Sequence, residues 1–439
     1  KWRSVLLFPM FVSSVEFLFS IKKIANNTMY AYAVADNLVL VQMTSLFGVH
    51  SLSFMLALFG SLLEYAVQFW IQNKRKIHKG VWIYLGVLFF FYFYGSIYIQ
   101  FPPKKENYIR VFATVGNEPT DVYLTGDINY DYIYDYTKIV ELVQKDAKLA
   151  KDNGCQLLSY AEESWSYFNY SALNGALLPA IGNIAKENDL MISFSIDIYQ
   201  PDKNNPLDDT KITYYNGNIF FDSDGEQKYT YIKHNLVTTS EPEYTYGKHK
   251  LKTFKTKYGK WTTVICYDLN FSPFMNFIAF KHPEVVLIPS WDTTPVARLQ
   301  SEVIAKFRAV ENGYNVLKNT FGGLTVAYDY TGRVMTSHFE NEWAHYAVIT
   351  DLNTQAKVTL WSCIGIFWNY FYIVAIFVFI FVKAQFNCKN IIVLHEEENA
   401  YTDLPLKSSR VEVKSSTDGS RVTTVGIKAK NAGTVDELQ

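Results

Sequence analysis

Apolar residues along this chain follow three patterns. Over 2–21, 49–71, 80–101 and 358–382 they run almost unbroken for about the 20 residues that a membrane-crossing helix requires. Across 104–357 they come in short runs separated by polar turns. Beyond about 394, Ser, Thr, Lys and Glu take over, and a segment so poor in large apolar side chains cannot bury enough surface to fold alone.

Within the middle region the spacing switches between two periods. Ile139, Leu142, Val143, Ala147 and Ala150 recur at helical spacing and predict a helix over 135–151, and 171–188 and 297–311 read the same way. Apolar runs over 155–159, 190–198, 284–289, 314–318 and 324–328 predict strands. Tyrosine-rich 212–221 and 227–233 predict a hairpin across Asp222-Ser223-Asp224-Gly225. Strand and helix in alternation mean an α/β protein.

The long apolar runs predict transmembrane helices: three within 1–103, a fourth within 358–383, with 104–357 as a separate domain between them and 384–439 as a disordered tail. Glu16 in the first run, and Glu64 and Gln68 in the second, leave a buried or interfacial helix as the alternative there. Lys1, Arg3, Lys74, Arg75, Lys76, Lys79, Lys383 and Lys389 gather at one set of span ends, against Lys22, Lys23, Lys104, Lys105 and Lys357 at the other. The richer side is expected in the cytosol. That places the tail in the cytosol and 104–357 on the lumenal or extracellular face of a multi-pass membrane protein.

Composition removes several classes. The near-neutral balance of 41 basic to 42 acidic residues argues against a dominant nucleic-acid surface. The eight His show no pairing at ligand spacing, so no metal is expected. Cys363 lies in a span and Cys388 beyond it, which leaves Cys155 and Cys266 in the middle region, both expected free. Asn26, Asn169 and Asn270 open glycosylation sequons on the side expected to face outward, with Asn270 too enclosed to be modified.

Three reactive side chains each follow a strand-like run. Glu162 lies in Ser159-Tyr160-Ala161-Glu162-Glu163-Ser164, Lys233 in Tyr231-Ile232-Lys233-His234-Asn235-Leu236-Val237, and Cys266 in Val264-Ile265-Cys266-Tyr267-Asp268. Taken singly, the thiol reads as a buried inert side chain and the charges as solvated ones. Taken together they can make or break an amide. A thiol attacks a carbonyl as thiolate, so a carboxylate must take its proton and can later protonate the leaving group. A fixed ammonium and a backbone N–H, here Lys233 and the amide of Tyr267, can hold the negative charge of the tetrahedral intermediate.

In these segments the chain resembles the nitrilase (carbon–nitrogen hydrolase) superfamily, and within it the membrane-embedded apolipoprotein N-acyltransferases. Tyr160-Ala161-Glu162 approximates the family's Trp-Pro-Glu; Tyr231 to Val237 matches Tyr-x-Lys-x-His-Leu-Val with Asn235 where His is usual; Ile265-Cys266-Tyr267-Asp268 matches Ile-Cys-Tyr-Glu. Val111-Phe112-Ala113-Thr114-Val115-Gly116-Asn117 and Phe307-Arg308-Ala309-Val310-Glu311-Asn312-Gly313 are further matches. The resemblance implies a four-layer αββα sandwich attached to a transmembrane bundle, with about four more helices ahead of Lys1. It implies a catalytic Glu162, Lys233 and Cys266, and a second acid at Glu241 that holds the Lys and lines the site, with Glu243 as its competitor. Tyr267 and Asp268 would line the site too, Asp268 as a shortened acid. Glu163, if on a strand, would point to the opposite face.

The activity implied is transfer of an acyl chain from a membrane phospholipid to Cys266 as a thioester, then to an amine-bearing acceptor, with no cofactor. A membrane-tethered amidase, in which water resolves the thioester, is the first alternative, and a catalytically inactive membrane scaffold the second. Two departures separate the chain from the acyltransferases: Ser290-Trp291-Asp292-Thr293-Thr294 replaces the usual Ser-Asn-Asp-x-Trp-Phe-Gly, and a short lysine-rich loop (Lys248, Lys250, Lys252, Lys255, Lys257, Lys260) replaces a longer apolar arm.

Overall fold

Side chains on a strand alternate between its two faces, and that alternation sorts the core of this protein into layers. The computed structural model describes residues 5–21, 29–73, 76–101, 103, 104, 107–116, 136–165, 168, 169, 173–201, 212–248, 251–292, 295–339 and 346–385, the last stretch without 366, 369, 372, 379 and 383. The tail from 386, Cys388, the sequon at Asn26 and the charges Lys1, Arg3, Lys22, Lys23, Lys74, Arg75, Lys105, Lys250, Lys383 and Lys389 lie outside these residues.

Seven strands form one sheet: β1 (Tyr108–Thr114), β2 (Leu157–Tyr160), β3 (Phe168–Asn169), β4 (Met191–Pro201), β5 (Ile212–Phe221), β6 (Gln227–Ile232) and β13 (Ala347–Asn353), in the order β13-β1-β2-β4-β5-β6 with β3 beside β4. Six form the other: β7 (Phe254–Thr256), β8 (Gly259–Thr263), β9 (Val285–Trp291), β10 (Asn315–Phe321), β11 (Leu324–Tyr328) and β12 (Val334–Phe339), in the order β12-β11-β10-β9-β8-β7. Each sheet is mixed. β1, β2 and β4 run parallel, as do β8, β9 and β10, while the outer strands return antiparallel.

Ile109, Val111 and Ala113 of β1, with Leu157 and Met191, meet Trp261, Val285, Leu287, Leu317 and Ala327 of the second sheet in one buried cluster between the sheets. The intervening residues Phe112, Leu158, Ile192, Phe194 and Ile196 face outward onto helices α6 (Tyr136–Asp152) and α7 (Leu178–Asn188), through Ile139, Val143, Ala147, Ile181 and Ile184. On the far side Val286, Ile288, Val316 and Val326 pack on α8 (Ser272–Ala279) and α9 (Pro295–Asn312), through Met275, Ile278, Ile304, Ala305 and Ala309. Helix, sheet, sheet, helix is the expected four-layer order. Its strands are apolar on both faces, which is why they read as short continuous runs.

Ahead of the sandwich lie α1 (Leu7–Ile21), α2 (Leu38–Val41), α3 (Thr44–Phe47), α4 (Val49–Gln72) and α5 (Lys79–Tyr98). Of the four expected spans, α4 and α5 are long and apolar enough to cross a membrane, and only 17% of each apolar window is buried. Leu63, Val67, Ile71, Ile83, Phe89, Phe90 and Phe93 are exposed, so these are not core helices of the sandwich. The first candidate span is a 15-residue helix, about 22 Å long at 1.5 Å per residue and short of a bilayer core of about 30 Å. The fourth crosses residues outside those described. Among the described residues, two apolar helices of spanning length stand where four were expected.

These helices dock on the outer face of α9, where Phe307 and Val310 join Leu40, Val41, Met43, Val49, Leu52 and Met55 in a further buried cluster. Glu311 of α9 fastens the contact: its Oε2 accepts from the Val49 amide at the first turn of α4 (3.2 Å), while Oε1 takes Arg308 (2.5 Å) and Ser272 (3.2 Å). At the end of α5 the Tyr98 ring lies under Lys357 (4.1 Å) and the Ile99 carbonyl accepts from Arg333. Both helices thus have one end on the sandwich, and the basic turn around Lys76 joins their other ends.

Candidate active site

The three reactive side chains leave their strands at carboxyl ends. Glu162 comes two residues after β2, Lys233 one residue after β6, and Cys266 three residues after β8 in the facing sheet. β6 runs parallel to β2, two antiparallel steps away through β5 and β4, so Glu162 and Lys233 emerge together at the same edge. The structure brings them into contact with each other and with Glu241.

Lys233 Nζ lies 2.6 Å from Glu162 Oε1 and 2.8 Å from Glu241 Oε1. All three side chains are nearly withdrawn from solvent. Glu241 is itself fixed by Oε2, which accepts the Val237 amide at 2.7 Å, whereas Glu243 is exposed. The Cys266 thiol donates to the Trp291 carbonyl at 3.7 Å and stands close enough to Glu162 and Lys233 to feel both charges. Burial raises the Glu162 carboxyl above the usual range, against the pull of Lys233. Burial and the Glu162 charge push the Cys266 thiol well up. Burial disfavours the Lys233 ammonium, but Glu162, Cys266 and Glu241 outweigh it and hold the proton on Lys233. At rest Lys233 therefore keeps its proton, and the Cys266 thiol is disfavoured from losing its own.

Cys266 has φ +45°, a left-handed conformation uncommon outside glycine. The turn lifts it out of β8 into a short 3-10 helix, Cys266–Asn270, and leaves it half-exposed. Tyr267 follows in the first turn, where N–H groups have no acceptor within the helix; its ring packs edge-on against Phe271.

Asp268, expected to line the site, serves the frame instead. It is fully buried, takes Tyr231 OH (2.6 Å) and the Ile265 amide (3.1 Å) on Oδ2, and takes the Asn235 amide and side chain (2.8 Å each) on Oδ1. One carboxylate therefore bolts the loop after β6 to the turn that carries Cys266.

Glu163 also differs from expectation. It lies beyond the end of β2 with φ +53°, so strand alternation does not apply, and its carboxylate turns toward the site. Asn216, in the middle of β5, lies 2.8 Å from Glu162 Oε1 and 3.2 Å from both Glu163 Oε1 and Glu241 Oε1. Asp197 of β4 is paired directly with Asn216 across the strands. Neither Asn216 nor Asp197 was singled out in the sequence, although polar residues facing inward on a buried strand are a signal. The oxygens of Glu162, Glu163 and Glu241 lie within 4.8 Å of one another, close enough to surround a cation, but Lys233 and Asn216 already donate into that space.

Cys155 is free and buried, its thiol pushed up to about 11 by burial, and Cys266 is free as well. Asn270 is 9% exposed, in keeping with an enclosed sequon.

The model of the carbon–nitrogen hydrolase family matches residues 113–355. Apolipoprotein N-acyltransferase of Borreliella burgdorferi is 30% identical over 88 residues, 19% of this chain, and the match spans only 17% of that relative's length. Among solved structures, Nit3 of Saccharomyces cerevisiae, a member of branch 10 of the nitrilase superfamily, is 18% identical with a TM-score of 0.44, covering 56% of this chain and 90% of that one. An amidase from Nesterenkonia sp. is 16% identical with a TM-score of 0.43, covering 58% and 94%.

Proposed function

This chain belongs to the carbon–nitrogen hydrolase family, and from that premise we propose that it is a membrane-mounted N-acyltransferase in which Cys266 carries an acyl group from a phospholipid to an amine. The observation that carries the reading is the buried Glu162–Lys233–Glu241 set, 2.6 and 2.8 Å apart, beside the Cys266 thiol that feels the Glu162 and Lys233 charges. Glu162 takes the thiol proton as sulfur attacks the donor's carbonyl carbon. Lys233 and the Tyr267 amide hold the oxygen that becomes negative. Glu162 then protonates the departing alcohol, leaving a thioester on Cys266. The incoming amine attacks that carbonyl, gives its proton to Glu162, and the new amide leaves as the thiolate is expelled and reprotonated.

Two further observations support the membrane mount and the phospholipid donor. α4, 24 residues long, extends about 36 Å with Phe59, Leu63, Val67, Trp70 and Ile71 exposed, and the end that meets the sandwich is opposite the basic turn. Under the charge rule for loops that turn is cytosolic, and the sandwich, with Glu162, Lys233 and Cys266, faces the lumen or exterior. An acyl donor that stays in the bilayer suits such a mount.

Hydrolysis is the second reading, favoured by the family match to hydrolases; there Cys266 attacks an amide, Glu162 protonates the departing amine rather than an alcohol, and water then resolves the thioester to a free acid. The test is to incubate the full chain in native membranes and measure the mass carried by the Cys266 peptide, with Cys266→Ala as control. A long acyl chain supports transfer and a short acid supports the amidase. No adduct on the wild type would overturn both.

A further inference from the structure

The chemistry above uses two acids, Glu162 for protons and Glu241 to brace Lys233. Two more stand beside them. Glu163 places an oxygen within 4.8 Å of Glu162 and Glu241 oxygens and shares Asn216 with both. Asp197 is 3% exposed and receives Tyr244 OH at 2.8 Å on Oδ2, while its Oδ1 has no hydrogen-bond partner. Its position opposite Asn216 sets its side chain on the same face of the sheet, near enough for the charges of Glu162, Glu241 and Lys233 to act on it.

Four carboxyls therefore share this corner of the site with one ammonium, Lys233, which is already taken by Glu162 and Glu241. Desolvated acids without a cation are costly, and both respond accordingly: burial, then the nearby Asp197 charge, holds Glu163 well above the usual carboxylate range, and burial pushes Asp197 up to about 8. A cation entering the cluster would remove that cost. Lys233 and Asn216 donate into the cluster, whereas Glu163, like Cys266, is only half-buried and so is the acid a ligand from solvent can reach. Such a position suits an organic ammonium on a flexible stem better than a metal ion, which would need the space Lys233 holds.

We propose that Glu163, backed by Asp197, receives the primary ammonium of a substrate and presents its neighbouring atoms to Cys266. The inference rests on Cys266 being the nucleophile. Amine-bearing compounds would then be the chemical class this site selects, and Glu163 and Asp197 the residues that select them.

The test uses thiol reagents, so that no substrate need be known. Methyl and 2-aminoethyl methanethiosulfonate both form a mixed disulfide with Cys266 and release methanesulfinate, and they differ in one ammonium. Labelling of the full chain in detergent is followed at the Cys266 peptide by mass spectrometry, and the ratio of cationic to neutral rate is divided by the same ratio for glutathione. A site with one uncompensated acid near the thiol should favour the cation by about tenfold or more. Glu163→Gln and Asp197→Asn should each lower the ratio, Glu163→Gln nearly to the glutathione value. A wild-type ratio near that of glutathione overturns the inference while leaving the thioester chemistry standing; no labelling of Cys266 by either reagent overturns both. A second arm identifies the carrier of the ammonium. With Cys266 preacylated by p-nitrophenyl hexanoate, a Glu163→Gln defect in discharge by 1,2-diaminoethane assigns the site to the acceptor. A defect confined to acylation from phosphatidylethanolamine vesicles, and not from phosphatidylglycerol vesicles, assigns it to the donor headgroup. Loss in neither arm counts against the inference.

Discussion

At Asn235 and Asp268 the chain departs from the family's usual His and Glu, and the structure places the two in contact through a pair of 2.8 Å bonds. Two short side chains and the Asn235 backbone amide thus make the tie between the loop after β6 and the Cys266 turn. Asp268→Glu alone should therefore overfill a fully buried position and lower the thermal midpoint, costing about 1–3 kcal/mol, while adding Asn235→His should change that cost rather than simply add to it; a double-mutant cycle on melting curves measures the coupling. Glu162→Gln should slow formation of the Cys266 adduct by about a hundredfold or more, read by the same mass measurement, because the amide cannot take the thiol proton. Asp197 gives a pH signature. Its folded pKa of about 8 lies above the ordinary value of 3.8, so its protonated form stabilises the fold; that contribution is complete below about pH 4 and is lost as pH rises through 8. Wild type should accordingly lose more stability between pH 4 and 8 than Asp197→Asn does, in melting curves taken across that range.

Among the elements, α9 has two apolar faces, one on the second sheet and one on the apolar helices. Arg308 and Glu311 lie fully buried between them, and the Arg308 side chain also bonds the Leu269 carbonyl in the short helix that begins at Cys266 (3.0 Å). Removing one member of such a pair strands the other charge, so Glu311→Ala should destabilise the chain by about 3–5 kcal/mol, measured as a fall in the thermal midpoint in detergent. Gly95 of α5 is a second such point: a Cβ there would lie 2.0 Å from the Val39 carbonyl oxygen of α2, and Gly95→Ala should force these helices apart. The helical periods of 135–151 and 297–311 reappear as α6 and α9 within two residues at each end, because a repeated apolar stripe depends on local spacing. The helix expected over 171–188 begins as a π-turn at Leu173–Leu177 and becomes α-helical only from Leu178. Strands β12 and β13 carried no such run, since their residues are largely exposed or alternate with exposed ones.

For the molecule as a whole, the proposed mount makes a topological prediction. In sealed vesicles with the tail side outward, protease should trim the chain beyond about residue 385 and leave 104–357 intact until detergent is added; digestion of 104–357 in intact vesicles would reverse the orientation. The sequence by itself determined the α/β class, the apolar helices of spanning length, and the stretches that supply Glu162, Lys233, Glu241 and Cys266, because runs, periods and motifs are properties of neighbouring residues. Which side chains face the thiol was decided by tertiary structure. Asn216 and Asp197 enter through cross-strand pairing, Glu163 through a left-handed turn just past its strand, and Asp268 leaves the site because Tyr231 and Asn235, more than thirty residues away, claim both its oxygens. Such contacts depend on how two sheets meet, and no local pattern records them.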